Sequence, residues 1–499
     1  MLQAIYSNNK TKLIMLSYLS IAVQARRIKP VLFAIFFLTL TFYSTEFFVG
    51  EAYARETQEV TILKAQGKQR VEQDNFMVLS PPHSVYNKKI SLSRLKWSEI
   101  CLLPADISEQ RSPEKFVSFT NWLASFKDNA IRKGLSAATV HSALKNVHLI
   151  DRVVQLDRKQ AEYALSFTNY INKAISIARI QRGQRKIQEN AAILRKIHRK
   201  YGVSSEILIA LWGLESDFGR FTGNFSTLNT LATLAYEGRR HNFFANELLC
   251  ALTMLDFDSE NITVEQMTGS WAGAMGQPQF MPSTFQYYAT DGNGDGKKDI
   301  WQNTSDVLAS AANYLYTLGW KKKEPWGIEV ILPRDFAPYQ AKLSVEKTLA
   351  QWRSLGVKKP NGKELRLQGT GRNDSVKGSI ILPAGLAGPA FLVFHNFRII
   401  REWNRSINYA VAVGYLADRV AGGPPLTRLD PQQDKNLSRQ NALMIQTVLA
   451  SMGYYKDKID GMVGIKSREA IRQYQRDKGI PADGYPSDSL ISRLRHERL

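Results

Sequence analysis

From Ser112 onward the apolar residues of this chain recur at intervals of three and four, and that spacing constrains the fold more than any other feature. Ser112-Pro113-Glu114-Lys115 reads as a helix start with proline in the first turn, after which Phe116, Phe119, Trp122, Leu123 and Phe126 form one stripe. Further helices are predicted at 136–147, at 159–200 with a break near Gly183, at 204–216, and several times between 226 and 318. Residues 325–400 depart from the pattern. Runs at 327–332, 378–382 and 390–394 read as short strands between loops, which places a small β-containing insertion in a mostly α (α+β) body. Helix resumes at 404–417, and Gly422-Gly423-Pro424-Pro425 then interrupts the chain. Beyond it, 437–499 is expected to form a compact unit of three helices, carried by Ile445 and Leu449, by Ile471 and Tyr474, and by Leu490 and Leu494.

A chain of 499 residues exceeds one ordinary core, and 44% hydrophobic with 22% charged residues is a globular balance. Part of that apolar content sits early. Arg26-Arg27-Ile28-Lys29 precedes the apolar run that begins Val31-Leu32-Phe33, and Ala52-Tyr53-Ala54 follows as a small-x-small cleavage pattern. The expected organisation is therefore a signal peptide at 1–54, a linker or arm at 55–111, a main domain at 112–425, a linker at 426–436 and a terminal domain at 437–499. An uncleaved anchor is the other reading of the first segment, since the run nearly spans a bilayer. Export to the periplasm or cell envelope disfavours nucleic acid as the partner of a chain with net charge +21 and directs that charge toward an acidic polymer or surface. Neither cysteine, Cys101 nor Cys250, follows the apolar run where a lipid would be attached, so a lipoprotein is not expected. Cys250 lies in an apolar helical stretch and reads as a buried small hydrophobe.

Three clusters carry the chemistry. The first, 205–219, is an apolar helix that ends in Leu214-Glu215-Ser216-Asp217, and apolar surroundings together with the negative end of the helix dipole would favour the protonated form of Glu215. That is the state required of a general acid. Asp217 is no ready second carboxylate, because residues two apart do not share a helix face. The second, Ser270-Trp271-Ala272-Gly273-Ala274-Met275-Gly276-Gln277-Pro278-Gln279-Phe280-Met281-Pro282, is too rich in glycine and proline for a helix. It suits a backbone-lined groove in which Ser270 and Gln279 bond sugar hydroxyl and acetamido groups. The third, Asp291-Gly292-Asn293-Gly294-Asp295-Gly296-Lys297, has the spacing of an EF-hand calcium loop, with a backbone carbonyl from Lys297. Gln302 stands where the closing glutamate belongs, so Asp306 is the expected substitute. Each cluster taken alone also reads as a solvated glutamate, an ordinary loop or a polar turn.

In this order the three clusters resemble the lytic murein transglycosylase B family, over roughly residues 112–420. The resemblance implies a lysozyme-like helical catalytic domain with Glu215 as catalytic acid/base. It implies glycan contacts from Ser270, Gln279, Tyr314, Asn404, Tyr409, Arg239 and Arg240, with Trp403 where some members have tyrosine. Residues Gln446, Gly453-Tyr454-Tyr455, Ile459-Asp460-Gly461, Tyr474-Gln475 and Asp483-Gly484 resemble the peptidoglycan-binding domain type 1. Together these imply cleavage of the MurNAc–GlcNAc β-1,4 bond of peptidoglycan without water, leaving 1,6-anhydroMurNAc ends. The implied partners are glycan strands and complexes of wall synthesis or division. Calcium would be structural, and no organic cofactor is expected. The rival readings are a lysozyme-like hydrolase, a non-catalytic peptidoglycan-binding protein and a calcium-responsive adaptor.

Overall fold

The computed structural model describes residues 118–159, 163–237, 240–367, 374–429 and 434–497. The expected signal peptide, the arm and the helix start at Ser112 lie outside the described residues. The first described helix, Phe119–Arg132, begins where the Ser118 hydroxyl accepts from the Asn121 N–H, and it buries Trp122, Leu123, Phe126 and Ala130. The expected helix stripe is thus present from its second member onward.

Helices dominate the body, and small antiparallel sheets are added to it. At its centre is Ser205–Ser216, whose residues Ile207 to Ser216 are all buried. A helix apolar on every side must be enclosed by others, and here Ile177–Glu189, Thr304–Thr317 and Ile407–Val420 pack around it. Each fully buried leucine or isoleucine along it contributes roughly 1.5–3 kcal/mol. The predicted break near Gly183 is absent. Helix ends fall instead at Ile175 and Asn190, and Gly183 lies inside Ile177–Glu189 because a β-carbon there would stand 2.7 Å from Val420. That glycine permits close helix packing rather than a turn.

The insertion is a four-stranded antiparallel sheet in the order Gly327–Val330, Ala390–Val393, Lys377–Ile381, Lys347–Thr348. It has its own core, in which Trp352 is fully buried and donates its indole N–H to the Gly378 carbonyl at 2.9 Å. The expected helix at 404–417 appears as Ile407–Val420, and a separate helix, His395–Trp403, precedes it where no helix was predicted. Between them the Asn404 side chain accepts from the Ser406 N–H and the Ser406 hydroxyl caps the second helix.

Three helices, Arg439–Ser451, Ile465–Asp477 and Asp488–His496, form the C-terminal unit around Ile445, Leu449, Ile471, Tyr474 and Leu494. The buried Gln446 amide satisfies the Asp460 and Gly461 N–H groups through its oxygen and donates to the Asp460 carboxylate and the Met462 carbonyl. This unit is docked on the body. Leu437–Ser438 pairs with Tyr163–Ala164, Asn436 accepts from the Ser166 N–H at 2.8 Å, Arg468 donates to the carbonyls of Leu382 and Pro383, and Arg472 donates to that of Ala341.

Candidate active site

The central helix ends in a reversal built without glycine at its first two positions. Asp217 and Phe218 both have left-handed backbones, with φ of 51° and 64°, a conformation that costs roughly 1–2 kcal/mol per residue. Two groups of contacts hold it. Phe218 packs edge-on to Trp212, its ring 2.8 Å from where a β-carbon on Gly213 would stand. The Asp217 carboxylate accepts from Arg182 at 2.8 Å and from Arg179 and Arg220 at 3.2 Å. Burial pushes that carboxyl up, but Arg179 and Arg182 outweigh burial and hold it below its ordinary value. Asp217 therefore stays ionised and committed to structure.

Two residues before it, Glu215 is 1% exposed. Its Oε1 accepts from the Tyr409 hydroxyl at 2.6 Å and from the Trp403 indole N–H at 3.2 Å. Burial, then the nearby charge of Glu215, raises the Tyr409 pKa well above the ordinary tyrosine value, so Tyr409 remains a donor. Tyr170, from helix Phe167–Ala174, is raised by the same two causes. A carboxyl group directed into bulk water would have left the tyrosines unaffected.

The glycine-rich segment is clamped to this helix end. Gln277 accepts from the Trp212 indole at 2.8 Å and donates to the Trp301 carbonyl at 2.8 Å. At Gly276, φ is 61° and a β-carbon would lie 2.7 Å from the Ile300 carbonyl oxygen, so only glycine fits. Gln279, also left-handed at φ 54°, donates its amide to the carbonyls of Thr222 at 2.9 Å and Gly276 at 2.8 Å. Its amide nitrogen thus ties the wall together. The Ser270 hydroxyl accepts from the Ala274 N–H at 3.2 Å. Beyond the segment, the buried Glu247 accepts from the Ser283 N–H and hydroxyl at the start of helix Pro282–Tyr288, with burial raising its pKa to about 7.

Aromatic rings join the segment to Glu215. Trp403 lies 5.3 Å from Phe280 and 4.8 Å from Tyr314, and the Tyr314 hydroxyl donates to the Glu402 carbonyl at 2.8 Å. Glu215, Tyr409, Tyr314 and Gln279 are thereby brought into one connected wall. Asn404 is placed by its local turn, and Arg240 begins helix His241–Phe257 with its guanidinium over Phe243 and Phe244. Burial lowers the Arg240 pKa to about 9. Arg239 lies outside the described residues. The sequence reading missed the contribution of Trp403, whose indole N–H donates to Glu215, and the bracing roles of Gln277 and Glu247.

In the 291–306 loop, carboxylate oxygens of Asp291, Asp295 and Asp306 lie within 4.8 Å of one another. Asp291 accepts from Gly294 and Gly296, Asp306 accepts from Gly292 and Asp299, and the Asn293 amide oxygen accepts from Asp295. Burial raises the Asp306 pKa. Three like charges this close, all on oxygen donors, fit a hard divalent cation.

Residues 118–418 match the family model described as transglycosylase SLT domain, and 438–494 match that of a peptidoglycan binding domain. The chain is 28% identical to membrane-bound lytic murein transglycosylase B of Escherichia coli over 312 residues, which is 59% of this chain and 81% of that protein. Among solved structures it is similar to SltB3 from Pseudomonas aeruginosa in complex with NAG-anhNAM-pentapeptide, with a TM-score of 0.72 at 42% identity, over 76% of this chain and all of that one. It is also similar to the E. coli lytic transglycosylase Slt35 in complex with calcium, with a TM-score of 0.51 at 28% identity, over 60% of this chain and 92% of that one.

Proposed function

Since the chain belongs to the transglycosylase SLT domain family and is a lytic murein transglycosylase, we propose that Glu215 is its single catalytic acid/base. Glu215 gives its proton to the glycosidic oxygen of the MurNAc–GlcNAc β-1,4 link as the C1–O4 bond breaks. The MurNAc acetamido group stabilises the cation at C1. Glu215 then takes the C6 hydroxyl proton as that oxygen closes on C1, which restores the enzyme and leaves a 1,6-anhydroMurNAc end with no water consumed. Tyr409 and Trp403 orient Oε1 throughout. Ser270, Gln279, Tyr314, Asn404 and Arg240 flank the glycan's path, Gln279 also by bracing the wall, and Arg239 is assigned to the glycan by sequence alone.

One observation carries this reading. Among the described residues the only other carboxylate at the helix end, Asp217, is held by three arginines, whereas hydrolysis by the usual glycosidase route requires a second working carboxylate at the bond. Mass spectrometry of digested sacculi tests it. Anhydro-ended muropeptides are expected from the wild type, and Glu215→Gln should lower their release by about 10²–10⁴-fold, the range for removing a general acid/base. Products heavier by one water would establish a hydrolase, and equal release by both proteins would remove Glu215 from catalysis.

Asp291, Asp295 and Asp306, with the Asn293 side chain and the Lys297 carbonyl, would hold a structural calcium ion; the metal would neutralise the acidic loop. Export to the periplasm or cell envelope, without a lipid anchor, rests on the order of the N-terminal segments. The domain boundaries at 112–425 and 437–499 rest on the sequence pattern, and the family matches at 118–418 and 438–494 support them.

A further inference from the structure

A run of short hydrogen bonds connects the acidic loop at 291–306 to the end of the catalytic helix. Asp306 is fully buried in the first turn of helix Thr304–Thr317, and its two carboxylate oxygens accept from the Gly292 and Asp299 N–H groups, each at 2.8 Å. The Asp299 carboxylate accepts in turn from the Trp301 N–H at 2.8 Å. Residues 300 and 301 then hold Gln277 by both of its donors. The Ile300 carbonyl accepts from its backbone N–H at 2.9 Å, and the Trp301 carbonyl accepts from its side-chain amide at 2.8 Å. The amide oxygen of Gln277 completes the run by accepting from the Trp212 indole at 2.8 Å, one helical turn before Glu215.

There is little slack along this path. A β-carbon on Gly292 would stand 2.4 Å from the Ser305 carbonyl oxygen, one on Gly276 would stand 2.7 Å from that of Ile300, and one on Gly219 would stand 2.4 Å from the Gln277 amide oxygen. Glycine at these positions lets the surfaces meet so closely that a shift in one is transmitted to the next, because a close-packed interior does not absorb it. Gln277 also touches the chain on both sides of Glu215, at Trp212 and at Gly219. The Trp212 carbonyl accepts from the Phe218 N–H at 3.2 Å, which closes the left-handed turn that ends the helix.

Charge at the far end supplies a reason to move. Carboxylate oxygens of Asp291, Asp295 and Asp306 lie within 4.8 Å of one another, and like charges at that spacing repel unless a cation lies among them. Asp306 is the member of the three that is bonded to Asp299. A displaced Asp306 carboxylate therefore pulls on Asp299, and through it on the carbonyls that hold Gln277.

We propose that Gln277 is a positioning residue for Glu215, and that through it the cation occupancy of the acidic loop sets where the catalytic carboxyl stands. The inference rests on the acid/base and calcium readings above and adds the residue that joins them. The competing route is direct, since helix Thr304–Thr317 carries Asp306 and itself packs on Ser205–Ser216. That route does not use the Gln277 amide.

The test compares full-length wild type with Gln277→Met, which keeps an unbranched side chain of similar size and removes both polar atoms, in calcium and in chelator at a temperature where every sample is folded. Melting temperature, kcat for release of anhydro ends and the Trp212 indole N–H resonance are measured, the resonance being assigned by its absence from Trp212→Phe. In wild type, calcium should raise the melting temperature, move the Trp212 resonance and raise kcat by about fivefold or more, the lower end of coupling between sites. In Gln277→Met, calcium should raise the melting temperature as much as in wild type, while kcat stays at or below that of chelated wild type and responds to calcium by less than about twofold. A wild type stabilised by calcium with kcat and the Trp212 resonance unmoved would overturn the proposal. So would a Gln277→Met protein that keeps the wild-type response of kcat, which would assign the coupling to the direct route. Wild type whose melting temperature ignores calcium would remove the calcium reading and this inference with it, whereas wild type that releases no anhydro ends would refute the activity itself. Should Gln277→Met fail to fold, Trp212→Phe takes its place, because it removes the last donor of the run and keeps an aromatic ring. Its kcat should no longer respond to calcium, and a full response would reject the role of Gln277.

Discussion

Replacing Asp217 with asparagine removes the anion on which three guanidiniums converge and leaves the geometry nearly unchanged. The Asp217 side chain is 1% exposed, and those of Arg179, Arg182 and Arg220 are 4%, 15% and 39% exposed. Removing one partner of a buried ion pair costs about 3–5 kcal/mol, because the other is left charged without compensation. Arg179 is the most deeply buried of the three and also donates to the Ala174 carbonyl. Arg220→Gln, at the exposed end, is expected to cost about 1 kcal/mol or less. The order of destabilisation in urea, followed by tryptophan fluorescence, should therefore be Asp217→Asn, then Arg179→Gln, then Arg220→Gln. The arginines hold the Asp217 pKa below its unfolded value of about 3.9. Its stabilisation is thus fully present above that pH and is lost as pH falls through the lower native value. The gap between wild type and Asp217→Asn should stay constant from about pH 5 to about pH 8 and close only in acid. Because the left-handed turn at Asp217 and Phe218 fixes where Glu215 ends, kcat should fall in the same order well below the unfolding temperature. An asparagine variant within about 0.5 kcal/mol of wild type, the range of an ordinary surface change, would refute the reasoning. So would an Arg220 variant as damaging as the Arg179 one.

Two further outcomes are expected. Tyr409→Phe leaves Trp403 as the described donor to Oε1, and loss of a hydrogen bond to a charged group, about 1.5–3 kcal/mol, should lower kcat by about 10–150-fold; an unchanged kcat would remove Tyr409 from the mechanism. Calcium at a hundredfold excess over its Kd should stabilise the chain by about 2.7 kcal/mol, seen as a rise in melting temperature that Asp306→Asn abolishes, and a wild type indifferent to calcium and chelator would dismiss the site.

Helices were legible where one face is apolar, as at Trp122, Leu123 and Phe126. Their ends were less so. Gly183 reads locally as a breaker, and only the proximity of Val420, more than two hundred positions away, shows why it is inside a helix. Glu215 and Tyr409 could be paired from motifs, because the helix-end and late motifs each have a recognisable pattern. The role of Asp217 could not, since Arg179 and Arg182 reach it from another helix, 38 and 35 positions earlier. Spacing correctly separated Asp217 from the face of Glu215, but the physical reason is that Asp217 has already left the helix. Gln279 adds a role that spacing does not show, since its amide nitrogen also binds the backbone carbonyls of Thr222 and Gly276.

The seam between the catalytic body and its C-terminal helices changes how a truncated protein should be interpreted. Cutting the chain before Leu437 strips Tyr163–Ala164 of its neighbour strand and takes the guanidinium donors from the carbonyls of Ala341, Leu382 and Pro383. Such a fragment is a damaged enzyme as well as one lacking the unit that matches a peptidoglycan binding domain. Weakened turnover in it therefore says little about tethering until the exposed edge has been repaired.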